Sequence, residues 1–182
     1  ETCRQSSKWW SNGKRDDIFW RMSNSGERST SRRKKGLNTF GQHGDVGATD
    51  PSGEKLLDLV TIELKRGYQK HTMQDLIDRH PTFSHQEFEK WIIQAQKSHE
   101  LSGSFSWWII AKRDQRIPLV FMPQRLFREI EYCLKGKLLT LIHLKTTIRN
   151  AAKKEKKTQL ICTKLDELLS NLPPKEIGKL YL

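Results

Sequence analysis

An α/β fold, a mixed central sheet with helices on both faces and a helical tail behind it, is what this sequence predicts. Three observations carry the prediction. The run "DLVTIELKRGY" (58–68) alternates Val60, Ile62 and Leu64 with Thr61, Glu63 and Lys65, the two-residue period of a β-strand. The run "SHQEFEKWIIQAQKSHELSG" (84–103) places Phe88, Trp91, Ile92 and Ala95 at i, i+3, i+4 and i+7, one face of a helix. Strand-like and helix-like segments also interleave along the chain, the pattern of a layered α/β domain.

In order, "ETCRQSSKWW" reads as a helix that stops at Asn12-Gly13, where glycine supplies a C-terminal exit. "DDIFWRM" (16–22) is a short strand of β-branched and aromatic residues. Residues 23–44 hold Ser, Gly, Asn and basic residues with almost nothing apolar, a long loop of the kind that is functional or disordered. "DVGATDPSGEKLLDLVTIELK" (45–65) reads as a hairpin turning at Asp50-Pro51-Ser52-Gly53. The helix over 84–103 opens on Ser84 with Glu87 three residues later, a capping box. "FSWWIIAKRD" (105–114) and "IPLVFMP" (117–123) are two strands across a charged turn. From Gln124 the pattern reads as helical through "RLFREIEYCL" and "TKLDELLSNL", closed by Pro173-Pro174. The basic block "RNAAKKEKK" between them reads as a solvated helix face. The expected organisation is a core over 1–123 and a basic helical C-terminal extension over 124–182, with the Glu63 strand central in the sheet.

The chain has 182 residues, with 33 Lys+Arg against 21 Asp+Glu and a net charge of +12. Such an excess points to a polyanionic partner, nucleic acid first. No basic helix with a clean aromatic face, no spanning apolar run and no signal-peptide pattern argues for a membrane or for secretion. The three cysteines, Cys3, Cys133 and Cys162, have neither disulfide-framework nor zinc spacing, so a reducing, cytoplasmic setting is expected. The first residue is Glu1 rather than Met, so a fragment is expected.

The chemistry lies in the hairpin. With its turn near 50–58, Asp45 falls roughly opposite Glu63, and Glu63 shares a strand face with Lys65. Two close carboxylates repel, and each pKa rises unless a cation sits between them. Hard oxygen donors in that arrangement suit Mg²⁺ or Mn²⁺, which keep several waters. A neighbouring ammonium can orient the attacking water and offset phosphate charge. Metal, water and phosphodiester together describe hydrolysis of nucleic acid. Taken alone, a Glu-x-Lys pair on a strand is two solvated polar residues and Asp45 is a turn residue beside Gly44.

"GDVGATDPSGEKLLDLVTIELKRG" resembles the active-site hairpin of the PD-(D/E)XK nuclease superfamily, with Asp45 as first acid and Glu63-x-Lys65 as second motif. "RDDIFWRMSNSGERST" resembles the Arg-x-x-x-Ser-Gly segment of archaeal-type Holliday junction resolvases and related phage endonucleases, through Arg21 and Ser25. The likeness covers about residues 1–123. It implies a restriction-endonuclease-like core (αβββαβ) and a Mg²⁺-dependent endonuclease acting on DNA, branched DNA included. It also implies a bacterial or phage-infected cell. Gly44-Asp45 stands where that group has Pro-Asp, and the Asp-to-Glu spacing is longer than in the compact resolvases. Asp50 is the alternative first acid, at a tighter spacing. The resemblance places Glu1 near a helix glutamate of the resolvases; an arbitrary first residue is the other reading.

The loop carries Arg21, Arg28, Arg32, Arg33, Lys34 and Lys35 among Ser and Gly, a composition suited to phosphate backbones. A disordered basic linker is the plainer reading, and both hold if the loop orders on DNA. Trp91, Trp107 and Trp108 are expected in the core, Trp9 and Trp10 between the first helix and the sheet, and His43 at most near a phosphate. Cutting two strands favours a homodimer. The competing function is a non-catalytic nucleic-acid-binding module on the same fold; an RNA-directed nuclease or binder is the third.

Overall fold

A computed structural model describes residues 1–22, 44–67, 73–78, 87–149 and 155–177. The elements are α1 (Thr2–Trp10), β1 (Phe19–Arg21), β2 (Val46–Ala48), a 3-10 turn (Pro51–Gly53), α2 (Glu54–Leu59) and β3 (Val60–Arg66). A second 3-10 turn (Met73–Leu76) precedes α3 (Glu87–Ser102), β4 (Ser106–Lys112) and β5 (Leu119–Pro123). Then come α4 (Gln124–Leu134), β6 (Leu141–Arg149), β7 (Glu155–Lys164), α5 (Leu165–Asn171) and α6 (Pro174–Ile177).

Five strands form one mixed sheet in the order β3-β4-β5-β7-β6, and β1-β2 form a separate antiparallel pair. β3 and β4 run parallel, with Glu63 beside Ile109 and Lys65 beside Ala111; every other pairing in the large sheet is antiparallel. A parallel pair needs a long crossover, and α3 supplies it. Alternation sends Trp107 and Trp108 to opposite faces, and both are buried because both faces are covered. On one side Phe88, Trp91, Ile92 and Ala95 of α3 pack with Trp107, Ile109 and Phe121. On the other, α2, α4 and α5 bring Leu56, Leu59, Leu126, Ile130, Leu165 and Leu168 against Ile62, Trp108, Val120, Met122 and Ile161. The expected α/β class with helices on both faces is what the chain adopts. Trp9 and Trp10 pack partly buried against the second of these cores, and their indole N–H groups donate to the Leu172 and Ser52 carbonyls.

Three expectations are corrected. The 45–65 segment is not a plain hairpin: "EKLLDL" forms α2, because Leu56 and Leu59, three apart, make a helical contact with the core, and β2 pairs with β1. β3 is not central but lies at the edge of the five-stranded sheet, where the Asp45 backbone closes on it. The helical tail is half strand. "LIHLKTTIR" and "EKKTQLICTK" are β6 and β7, whose Thr and Ile at alternating positions suit a pleated surface better than a helix. β7 lies between β5 and β6 in the sheet, and Ile161 and Leu165 are completely buried in the same core as β3 and β4. In the block read as a solvated helix face, Glu155–Lys157 open β7, and residues 150–154 lie outside the described residues. Ser84, the expected N-cap of α3, also lies outside them. Among the described residues no helix is long and apolar enough to cross a membrane.

Candidate active site

Glycine makes the first contact. Gly44 has φ +84°, and a Cβ there would stand 2.8 Å from the Ile62 carbonyl oxygen, so only glycine allows this approach to β3. The next residue uses it. Asp45 donates its N–H to the Ile62 carbonyl at 2.8 Å, and its Oδ2 accepts the Leu64 N–H at 2.8 Å. Asp45 therefore brackets Glu63 from the residue before it and the residue after it. Its own carbonyl accepts the Met22 N–H at 2.9 Å, which ties it to the end of β1 beside Arg21.

Glu63 points from β3 toward α3 and is 1% exposed. Its carboxylate is fully engaged: Oε1 accepts from Ser98 Oγ at 2.8 Å, and Oε2 accepts from Gln94 Nε2 at 2.8 Å and from Lys65 Nζ at 3.3 Å. Lys65 Nζ also donates to Gln94 Oε1 at 2.8 Å. Gln94 thus holds acid and base at once with the two ends of one amide. Ser98 stands four residues on, so both side chains leave the same face of α3. Next to this group Thr61 Oγ1 lies 2.7 Å from the hydroxyls of both Ser102 and Ser104, fastening β3 to the end of α3. The face that carries Glu63 is thereby held rigidly under the helix.

Burial pushes the Glu63 carboxyl up from its ordinary value, and the nearby Asp45 charge pushes it further; Lys65 and Ser98 pull it down without cancelling the rise. The two acids therefore feel each other across the Asp45–β3 contact. A proton on Glu63 relieves that repulsion, and a cation held by both carboxylates would do the same. Two hard-oxygen donors fit Mg²⁺ or Mn²⁺, which complete their shells with water and phosphate oxygens. Among the described residues no group of three or more His, Cys, Asp or Glu side chains could hold a metal.

The other expected residues separate. Asp50 caps the 3-10 turn: its carboxylate accepts the Ser52 N–H at 2.9 Å and pairs with Arg15, and these partners, Ser52 first, hold its pKa at about 2. That is the work of a turn residue. Glu1 is exposed at the start of α1 and makes no side-chain cap. Arg21 is exposed at the end of β1. Its charge reaches Cys3: burial raises that thiol's pKa, the amino terminus and Arg21 lower it, and Asp45 raises it. Ser25, Arg28, Arg32, Arg33, Lys34, Lys35 and His43 lie outside the described residues.

Sequence reasoning missed Gln94 and Ser98. A signal was present, since they stand three and seven residues after Trp91 and so share the face that α3 turns to the sheet. A polar residue at such a position needs a polar partner, and Glu63 is it.

No family model, no curated protein and no solved structure matches the chain.

Proposed function

We propose that the protein is a Mg²⁺-dependent DNA endonuclease of PD-(D/E)XK type, hydrolysing phosphodiester bonds in branched DNA. The observation that carries the reading is the buried Glu63, held by Lys65, Gln94 and Ser98 while the Asp45 charge opposes it. A buried carboxylate whose pKa stays raised despite three hydrogen-bond donors, with a second acid's charge acting on it, has a purpose if a cation belongs there. The order α1, β1, β2, α2, β3, α3, β4 supports a restriction-endonuclease-like core with α2 inserted before β3 and with β1 and β2 forming their own pair. The net charge of +12 supports a polyanionic substrate.

In this reading Asp45 and Glu63 hold the metal, which when bound supplies a Lewis acid and lowers the pKa of water. Lys65 offsets charge on the phosphate and orients the attacking water. Gln94 keeps the lysine beside Glu63 and is a positioning residue. Arg21 and the Arg/Ser/Gly stretch that follows it contact the phosphate backbone without reading sequence. Cutting both strands of a junction calls for two such sites, hence a homodimer.

The experiment offers linear and four-way DNA to the purified chain with Mg²⁺ and with EDTA. Strand scission that needs Mg²⁺ and vanishes in Asp45→Asn supports the reading. Binding to either DNA without scission at any Mg²⁺ or Mn²⁺ concentration replaces it with a non-catalytic binding module, and a preference for RNA replaces the substrate.

A further inference from the structure

A cavity of about 540 Å³ opens beside Lys65, at the end of β4 where the strand gives way to the β4–β5 turn. Its floor is apolar: the partly buried Met73, Ala111 and Leu119 lie over the nearly buried rings of Phe88, Trp91 and Phe121, with Phe88 in contact with both other rings at centroid separations of 4.9 and 4.8 Å. Its rim is cationic, made of Lys65 with Lys112, Arg113 and Arg116, and among the described residues no carboxylate lines it. Ile117, also on the rim, is 53% exposed, an apolar side chain left in water at the cavity's mouth. The volume lies within the range of sites for small organic ligands.

The pattern is selective. A second cavity, about 630 Å³ at the opposite end of β4, also has apolar lining in Phe105, Trp107 and Leu126 but mixes Glu100 and Glu129 with its cations. A ligand for the first cavity needs a flat apolar part for the floor and negative charge for the rim. A nucleotide has both, as base and phosphate. A base inside a duplex is stacked on both faces and paired along one edge and cannot reach the floor; an unpaired or extruded base can, at least cost where it is already unpaired.

We propose that this cavity takes one unpaired nucleotide of the substrate strand, its base on the floor and its phosphates on Lys112, Arg113 and Arg116, next to the bond presented to Lys65. The inference rests on the nuclease reading for its substrate and narrows that substrate to DNA with an unpaired nucleotide near the cut.

The experiment is equilibrium binding by the full chain in EDTA, to a continuous duplex and to the same duplex with a single unpaired thymidine. The parent chain is expected to prefer the second by about tenfold, the scale of one base seated on an aromatic or apolar surface. The ratio is expected to fall to near one in the doubly substituted Arg113→Gln/Arg116→Gln protein and in Ile117→Asp, all rim positions outside the packed core. A ratio near one in the parent, or the parental ratio in either variant, overturns the proposal. Scission with Mg²⁺ is scored separately. A preference without scission leaves the cavity assignment standing and sinks the nuclease reading, and scission without a preference does the reverse.

Discussion

Asp45 carries two loads that a single pair of substitutions separates. Its Oδ2 accepts the Leu64 N–H, and its charge raises the Glu63 pKa. Asp45→Ala removes both; Asp45→Asn keeps a carbonyl oxygen for the Leu64 N–H and removes only the charge. Leaving a part-buried N–H without its partner costs about 1–3 kcal/mol. In a chain of this length about 2 kcal/mol corresponds to about 4–8 °C in Tm. The alanine variant should therefore melt lower than the asparagine variant by that amount, and the asparagine variant should melt near the parent. Both should lose scission by about a hundredfold or more, the scale for removing one preorganised charged group. Both should also lower the Glu63 pKa, read by carbon NMR of its carboxyl in a pH titration. The reasoning is refuted by Asp45→Asn cutting at the parental rate, or by Glu63 titrating in that variant as it does in the parent.

Lys65→Met keeps the stem's packing and deletes the ammonium, so Mg²⁺ affinity should hold while turnover falls by about a hundredfold; a parental rate returns Glu63-x-Lys65 to two polar residues on a strand. Because the folded Glu63 pKa is raised above its ordinary 4.5, the stability that protonation confers is complete below that value and is lost as pH rises through the folded pKa. In Mg²⁺-free buffer the Tm of the parent should therefore fall relative to Glu63→Gln as pH rises, and Mg²⁺ should narrow the gap; a gap independent of pH refutes the shift. Replacing Arg28, Arg32 and Arg33 together should flatten the slope of log K against log salt for DNA binding by about one unit per lost contact, and an unchanged slope removes them from the interface. Ile161→Ala, in a strand expected from sequence to be part of a helical tail, should cost about 2–5 kcal/mol by urea unfolding, and a surface-like loss below 0.5 would place β7 outside the core.

Elements with a strong period were legible without coordinates. The alternation of Val60, Ile62 and Leu64 marked β3, and the spacing of Phe88, Trp91, Ile92 and Ala95 marked α3, because each pattern matches the geometry of one element alone. The neighbourhood of Glu63 and Lys65 followed from strand period; Asp45 reaches the same strand not across the expected hairpin but through its N–H on the Ile62 carbonyl and its carboxylate on the Leu64 N–H. Asp50 is set apart by the turn it caps. The tail misled because "RLFREIEYCL" and "TKLDELLSNL" are helical and the "LIHLKTTIR" between them was carried along, although its Thr and Ile spacing is a strand's.

Tertiary structure decided what no local period encodes. Whether β3 is central or at an edge depends on which strands pair with it, and pairing is set by contacts far apart in sequence. β7 enters the sheet between β5 and β6 because its Leu160, Ile161 and Cys162 fill both cores, a choice that only the assembled layers reward. The same holds at the site. Gln94 and Ser98 stand 31 and 35 residues from Glu63, and nothing in either stretch names the other. The sequence by itself determined which side chains could do chemistry; the α3 crossover, forced by parallel pairing of β3 with β4, determined which of them meet, because it lays the helix across the one strand face where Glu63 and Lys65 emerge.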